Sequence, residues 1–454
     1  MSSTISYIKE NRSRYIEELN EYLRIPSVSA ENEHKADMYR AAKFTVQKLK
    51  DAGMTTAKIF DTNGHPIVFA ERKVSASKPT ILFYGHYDVQ PAGDLKLWNT
   101  KPFEPTVIGD KLFARGATDD KGQLFVHIKS VEALMKTVGE LPLNVKYLIE
   151  GEEEIGSENL DVFINKNKDL LKCDAVVISD TSLYAPGVPT LTYGLRGLCY
   201  MEIEVTGPNR DLHSGTYGGA VANPVNVLAD MISKLHDKKG KITIDNFYDD
   251  VIKLTKAERE NFKKLKFSEK AYAKEIGVAE LAGEEGYTTL ERQWARPTLD
   301  CNGINGGYTG EGAKTIIPSK ASAKISMRLV PNQDPKKIEK LFTKYIKQLA
   351  PKSVKVSVTS LHGGYPVVTP IDSKATLVAS KAMEKAFKKK IVYMKEGGSI
   401  PVVATFAKEL KAPTVLMGLG LDSENLHSPN EHFSLTHFML GIESSVYFLE
   451  EFGK

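Results

Sequence analysis

Apolar residues recur every three or four positions over residues 5–23 and again over 35–52, which predicts two amphipathic helices. Arg24-Ile25-Pro26-Ser27-Val28 separates them with a proline, and Gly53 ends the second. Beyond them the pattern shifts to short continuous apolar runs. Ile81-Leu82-Phe83-Tyr84, bounded by Pro79 and Gly85, reads as a buried strand, as do 143–149 and 175–178. Residues 121–138 return to helical spacing. Strands alternating with helices imply an α/β layer architecture.

Near Arg196 the character changes. Residues 198–205 alternate like a half-exposed strand, 224–235 are helical, and 253–274 form a lysine-rich helical region. A strand over 319–329, a helix over 335–349 and a strand over 354–359 complete the block. After Gly363-Gly364 the α/β pattern resumes, with a helix at 375–387, strands at 391–394 and 413–417, and a last helix at 434–452. The expectation is an α/β fold: a mixed-sheet domain with helices on both faces, built from 1–196 and 366–454, and an inserted α+β domain at 197–365. A chain of 454 residues exceeds what one core usually organises, in keeping with two domains.

Composition narrows the function. The chain is 41% hydrophobic and 26% charged, enough for full cores and too little biased for disorder. Its net charge of +4 is spread over interspersed Lys, Arg, Asp and Glu, so no nucleic-acid partner is expected. Cys173, Cys199 and Cys301 are an odd, scattered set that argues against a disulfide framework and against a cysteine zinc site. The first nine residues lack the apolar core of a signal peptide, and no run is long and apolar enough for a membrane span. A cytoplasmic protein without a membrane partner is the expectation.

Candidate chemistry gathers at strand ends. His86 and Asp88 lie just past the 81–84 strand, where ligands bind in open α/β sheets. Two apart on an extended segment, they point the same way, so His86 can ligate a metal while Asp88 orients it. A strand-end His beside a solvent Asp is the plainer alternative. Asp119-Asp120 precedes a helix and fits an N-cap as well as a metal site. Glu152-Glu153-Glu154 follows the strand ending at Ile149, where packed acids are costly unless cations neutralise them. Asp180 follows Val176-Val177-Ile178, and His427 lies in Asn425-Leu426-His427-Ser428-Pro429-Asn430-Glu431, after the 413–417 strand and its glycine loop. Four strands each delivering a His or an acid suit a divalent metal.

In this order the segments resemble the two-metal zinc peptidases that include carnosine dipeptidase, aminoacylase and succinyl-diaminopimelate desuccinylase, most closely the cytosolic non-specific dipeptidase branch. The resemblance covers nearly the whole chain. It includes Gly85-His86-Tyr87-Asp88-Val89-Gln90-Pro91, Thr118-Asp119-Asp120-Lys121-Gly122 and Asp211-Leu212-His213-Ser214-Gly215. Ser326-Met327-Arg328-Leu329-Val330-Pro331 and Glu396-Gly397-Gly398-Ser399-Ile400-Pro401 complete it. It implies a broad-specificity dipeptidase with two divalent metal ions per subunit, zinc first and manganese second. His86 and Asp180 would hold one ion, Glu154 and His427 the other, with Asp119 bridging both. Glu153 would be the general base toward a water shared by the metals. The resemblance also implies a cis peptide at Asp119-Asp120.

The inserted block becomes a lid and dimerisation domain by the same resemblance. His213 would reach the partner subunit's site in a homodimer and stabilise the oxyanion. Arg328 would clamp the substrate carboxylate, Gly398 and Ser399 would contact the same end, and Glu396 would bind the free amine. Without the resemblance, His213 reads as an exposed turn residue and Arg328 as a strand-surface charge. Asn302 departs from the pattern, since the mammalian dipeptidases carry a histidine there, which bears on lid-side specificity.

Two rival functions stand beside this one: an N-acyl amino acid deacylase on the same scaffold, and a catalytically dead homologue serving as a binding protein. Glu396 tilts against the first, and the full ligand set with Glu153 against the second. Gly307-Tyr308-Thr309-Gly310-Glu311-Gly312-Ala313-Lys314-Thr315 nearly spells a phosphate loop, but Ala313 interrupts it and Pro318 follows where a helix must start. His34, His65, His127, His236, His362, His432 and His437 read as structural or surface residues.

Overall fold

The computed structural model describes residues 3–265, 267–398 and 400–454. They form two units, one of Met1–Tyr193, Thr369–Met394 and Pro401–Lys454, the other of Gly194–Val368 and Lys395–Ile400.

The first unit is built on a mixed sheet. Its successive strands are Thr56–Phe60, Ile67–Arg72, Asn144–Glu150, Thr80–His86, Ala175–Ile178, Thr414–Leu416 and Thr190–Leu195. The middle four run parallel, and antiparallel pairs flank them. Every residue of Asn144–Glu150 and of Ala175–Ile178 is buried, which is why these strands read as unbroken apolar runs.

Helices cover both faces of this sheet, and adjacent residues of one strand show it. Phe83 stacks on His127 of the helix Lys121–Thr137, with ring centroids 4.3 Å apart. Its neighbour Tyr84 points the other way and meets Phe406 of Pro401–Glu409 edge-on at 5.5 Å. The Pro401–Glu409 helix has no counterpart in the sequence expectation.

Two predicted helices divide. The 5–23 stretch becomes Ser3–Glu10 and Arg12–Leu23, separated at Asn11. The Asn11 side chain donates to the Tyr7 carbonyl at 2.9 Å, the same oxygen that accepts the Asn11 N–H at 3.0 Å. The lysine-rich region becomes Lys256–Lys264 and Glu269–Glu275, because Ser268 caps a new helix through the Ala271 N–H.

The second unit carries an antiparallel four-stranded sheet in the order Thr298–Gly306, Lys320–Leu329, Gly197–Thr206, Lys355–Gly364. Gly197–Thr206 alternates strictly between buried and half-buried positions. Met201, Ile203, Val205, Ile325 and Met327 form one core with Leu228 and Met231 of the helix Pro224–Ser233 and with Ile338, Phe342 and Ile346 of Pro335–Leu349. The near-phosphate loop leads into the short strand Ile316–Ile317 and supplies no helix N-terminus.

Candidate metal centre

Parallel strands bring their C-terminal ends to one edge of the sheet, and the register there pairs His86 with Glu150. His86 ends the strand Thr80–His86, and Glu153 and Glu154 follow Asn144–Glu150 in a short 3-10 turn. Asp180 lies two residues past Ala175–Ile178. Asp119 precedes the helix Lys121–Thr137, and the Asp119–Asp120 peptide is cis. Asp120 stands at the N-cap position without capping the helix, and its carboxylate accepts the His86 backbone N–H instead, at 3.2 Å.

The structure brings these side chains into two clusters that share one residue. His86 Nε2 lies 3.2 Å from Asp119 Oδ1 and 3.9 Å from Asp180 Oδ2. On the other side, His427 Nε2 lies 3.0 Å from Asp119 Oδ2 and 3.3 Å from Glu154 Oε2. Within each cluster one candidate ligand atom per residue lies within 4.8 Å of the others. The two Asp119 oxygens thus face different clusters, the arrangement of a bridging carboxylate.

Asp88 ties the clusters to their backbone. The His86 ring donates from Nδ1 to the Asp88 carbonyl at 3.1 Å, and Asp88 Oδ1 lies 3.3 Å from the same nitrogen. That tautomer leaves a lone pair on Nε2. Asp88 also accepts the backbone N–H groups of Glu153 and Glu154 at 3.3 and 3.1 Å. Gln90, quoted above only as part of a motif, donates to Glu154 Oε2 at 2.8 Å.

The residues fit divalent cations on two counts. His86 is wholly buried, yet with its ring proton on Nδ1 the Nε2 lone pair faces the Asp119 carboxylate and, among the described residues, accepts no hydrogen bond. A buried acceptor of this kind is costly unless something coordinates it. The surrounding acids make the same point. Burial, then the charge of Asp119, pushes the Asp180 carboxyl well above the usual carboxylate range. Burial and the neighbouring Glu154, Asp119 and Glu150 do the same to Glu153 against the opposing pull of His86. His427 is raised as well, up to about 11, because it bonds to Asp119 and Glu154. Two dications would compensate this crowding of acids.

The other predicted residues lie in the second unit. His213 is exposed, and its Nδ1 accepts the Gly215 N–H at 3.1 Å, which leaves the ring proton on Nε2. Arg328 stands on Lys320–Leu329 opposite Leu198 and Thr298, and burial lowers its guanidinium below the ordinary value against the pull of Asp300. Glu396 ends the strand Val392–Glu396. Arg196 holds the following turn, with Nε on the Gly397 carbonyl at 3.0 Å and its backbone N–H on Gly398 at 3.2 Å. Ser399 lies outside the described residues. Asn302 is an exposed residue of the edge strand Thr298–Gly306.

Residues 82–451 match the model of peptidase family M20/M25/M40. The chain is 35% identical to the Cys-Gly metallodipeptidase dug1 of Schizosaccharomyces pombe, over 98% of this chain and 96% of that one. It superimposes on the di-peptidase Dug1p of Saccharomyces cerevisiae with a TM-score of 0.90 and 31% identity, covering 100% and 98% of the two chains. The M20 family metallo-carboxypeptidase Sso-CP2 of Sulfolobus solfataricus gives 0.88 and 35%, covering 97% and 99%.

Proposed function

The chain belongs to peptidase family M20/M25/M40, and on that premise we propose that it is a broad-specificity dipeptidase that works with two divalent metal ions. The observation that carries this reading is Asp119, whose two oxygens each face a separate His-carboxylate cluster. His86 and Asp180 would hold one ion and Glu154 and His427 the other, with Asp119 placed to serve both. When bound, such ions polarise the scissile carbonyl and lower the pKa of a water. Mixed imidazole and carboxylate ligands suit zinc first and manganese second.

The chain's own groups supply the rest. Glu153, held by Asp88 through its backbone N–H, takes a proton from the attacking water and returns it to the leaving amine. Asp88 fixes the His86 ring so that Nε2 stays free to ligate. Arg328 pairs with the substrate's terminal carboxylate, where a partly desolvated guanidinium binds more strongly than an exposed one. Gly398 and Ser399 line the same end, and Glu396 takes the free amine. The second unit acts as lid and dimerisation domain of a homodimer. In it the exposed Nε2–H of the partner's His213 faces the developing oxyanion.

Among the described residues no helix is long and apolar enough to cross a membrane. The three cysteines are free, which suits the reducing cytoplasm where the enzyme acts on small peptides.

Metal analysis combined with a substrate panel tests the reading. Two zinc or manganese ions per chain should accompany cleavage of dipeptides, Cys-Gly among them. Tripeptides and N-acyl amino acids should be cleaved far more slowly. Chelation should abolish turnover and either metal restore it. Preference for an N-acyl amino acid would reassign the enzyme as a deacylase. Rapid removal of C-terminal residues from longer peptides would make it a carboxypeptidase.

A further inference from the structure

The loop that carries His427 has a costly backbone. Asn425, His427 and Asn430 have φ of 60°, 59° and 64°. The left-handed region disfavours residues with a Cβ; Asn tolerates it better than His. The His427 side chain is 57% exposed, so side-chain packing does little to hold it. Something else must keep this loop in register with Asp119.

Glu431 does so, and no part of the reaction uses it. It is fully buried and stands four residues past His427. Its Oε2 accepts from Arg115 Nη1 at 2.8 Å and from the Gly116 N–H at 2.9 Å. Its Oε1 accepts from the N–H groups of Thr118 at 3.0 Å and Asp119 at 3.1 Å. The Glu431 carbonyl in turn accepts the Ala114 N–H at 3.1 Å. Every one of these contacts falls on residues 114–119, the run that ends at the bridging acid. A buried carboxylate is tolerated when donors fill both oxygens, and here four converge. A neutral amide of the same shape would turn an NH2 toward two of them.

We propose that Glu431 is a positioning residue of the metal centre. It sets the spacing of Asp119 and His427, and through them the affinity of the Asp119–Glu154–His427 cluster, without ligating an ion itself. The inference rests on the assignment of those three residues as ligands. It goes beyond that assignment in giving the ion affinity a control point outside the ligand set.

Zinc titration of the full-length apo-protein, by calorimetry and by competition with a chelator, tests it. Glu431→Gln should keep the circular dichroism of the wild type while one ion binds tenfold or more weakly, the usual range for loss of a group that orients a ligand. A merely structural role would lower thermal stability and leave the affinity of the folded protein alone. Ile346→Ala, a core truncation in the second unit, therefore serves as the control for reduced stability. Wild-type affinity in Glu431→Gln would overturn the proposal, as would an equal loss of affinity in Ile346→Ala. Should Glu431→Gln not fold, Glu431→Asp keeps the charge and withdraws it by one methylene, and the same weakening is expected. If neither variant folds, Glu431 is a folding residue and the proposal falls. Failure of the wild type to bind two ions would instead remove the ligand assignment itself.

Discussion

A single buried imidazole shows how closely the scaffold behind the site is tuned. His127 is wholly enclosed, with Nε2 2.7 Å from Ser179 Oγ and Nδ1 3.0 Å from Ser445 Oγ. Ser179 gives its own proton to the Met417 carbonyl, so it accepts from Nε2. Burial pushes the pKa of His127 down to about 3, so the ring is neutral near pH 7. An unfolded histidine titrates near 6.5. Between these values the unfolded chain binds a proton that the native chain refuses, so stability present above pH 6.5 is lost as pH falls toward 3. The loss attributable to His127 is on the order of 4 kcal/mol at the acid end. His127→Gln, which cannot charge, should show a flatter dependence of unfolding free energy on pH across this window. Parallel curves for variant and wild type would show that other groups carry the acid sensitivity.

The helix Lys121–Thr137 makes the corresponding point for an element. Gly122 occupies its first turn, where replacement by alanine would ordinarily raise helix propensity by up to about 1 kcal/mol. Here an added Cβ would lie 1.9 Å from the Ala117 carbonyl oxygen and 2.8 Å from Phe433 Cδ1. The first of these is backbone of the run that carries Asp119. Gly122→Ala should therefore destabilise the protein by roughly 1–3 kcal/mol, the range for overpacking, despite the better propensity. It should also weaken metal binding, because the Asp119 loop must move. Denaturant unfolding with metal analysis measures both; a stabilised variant with full metal content would contradict the close approach.

At the scale of the whole molecule the proposal concerns two copies. If each site is completed by His213 of the partner subunit, Glu153→Ala and His213→Ala homodimers are both nearly inactive, for different reasons. In a mixed dimer the His213→Ala subunit keeps an intact Glu153, and the Glu153→Ala subunit lends it a histidine. Random assembly makes half the dimers mixed with one working site in each, so co-expression should restore about a quarter of wild-type activity. A co-expressed sample as inactive as its parents would place His213 in its own subunit's site.

Much of this was legible in the chain itself. Unbroken apolar runs such as Val176-Val177-Ile178 mark strands buried on both faces, and the next polar residue after such a run lands at the sheet edge. His86, Asp180 and the cluster of acids after Ile149 could be singled out as strand-end groups, while the choice of Glu154 within that cluster came from the family resemblance. The mostly exposed edge strand Thr298–Gly306 was not, because its pattern lacks a clear period of burial, and neither were the division at Asn11 and the helix Pro401–Glu409, although their buried residues keep helical spacing. Glu431 and Gln90 escaped for a different reason. Both lay inside quoted motifs, but a buried carboxylate's value depends on which donors surround it. Those of Glu431 come from more than 300 residues earlier in the chain. Hydrophobic periodicity is local and can be read along the chain. The convergence of four donors on one carboxylate, and the turning of one aspartate's two oxygens toward two clusters, are decided only when distant loops meet in space.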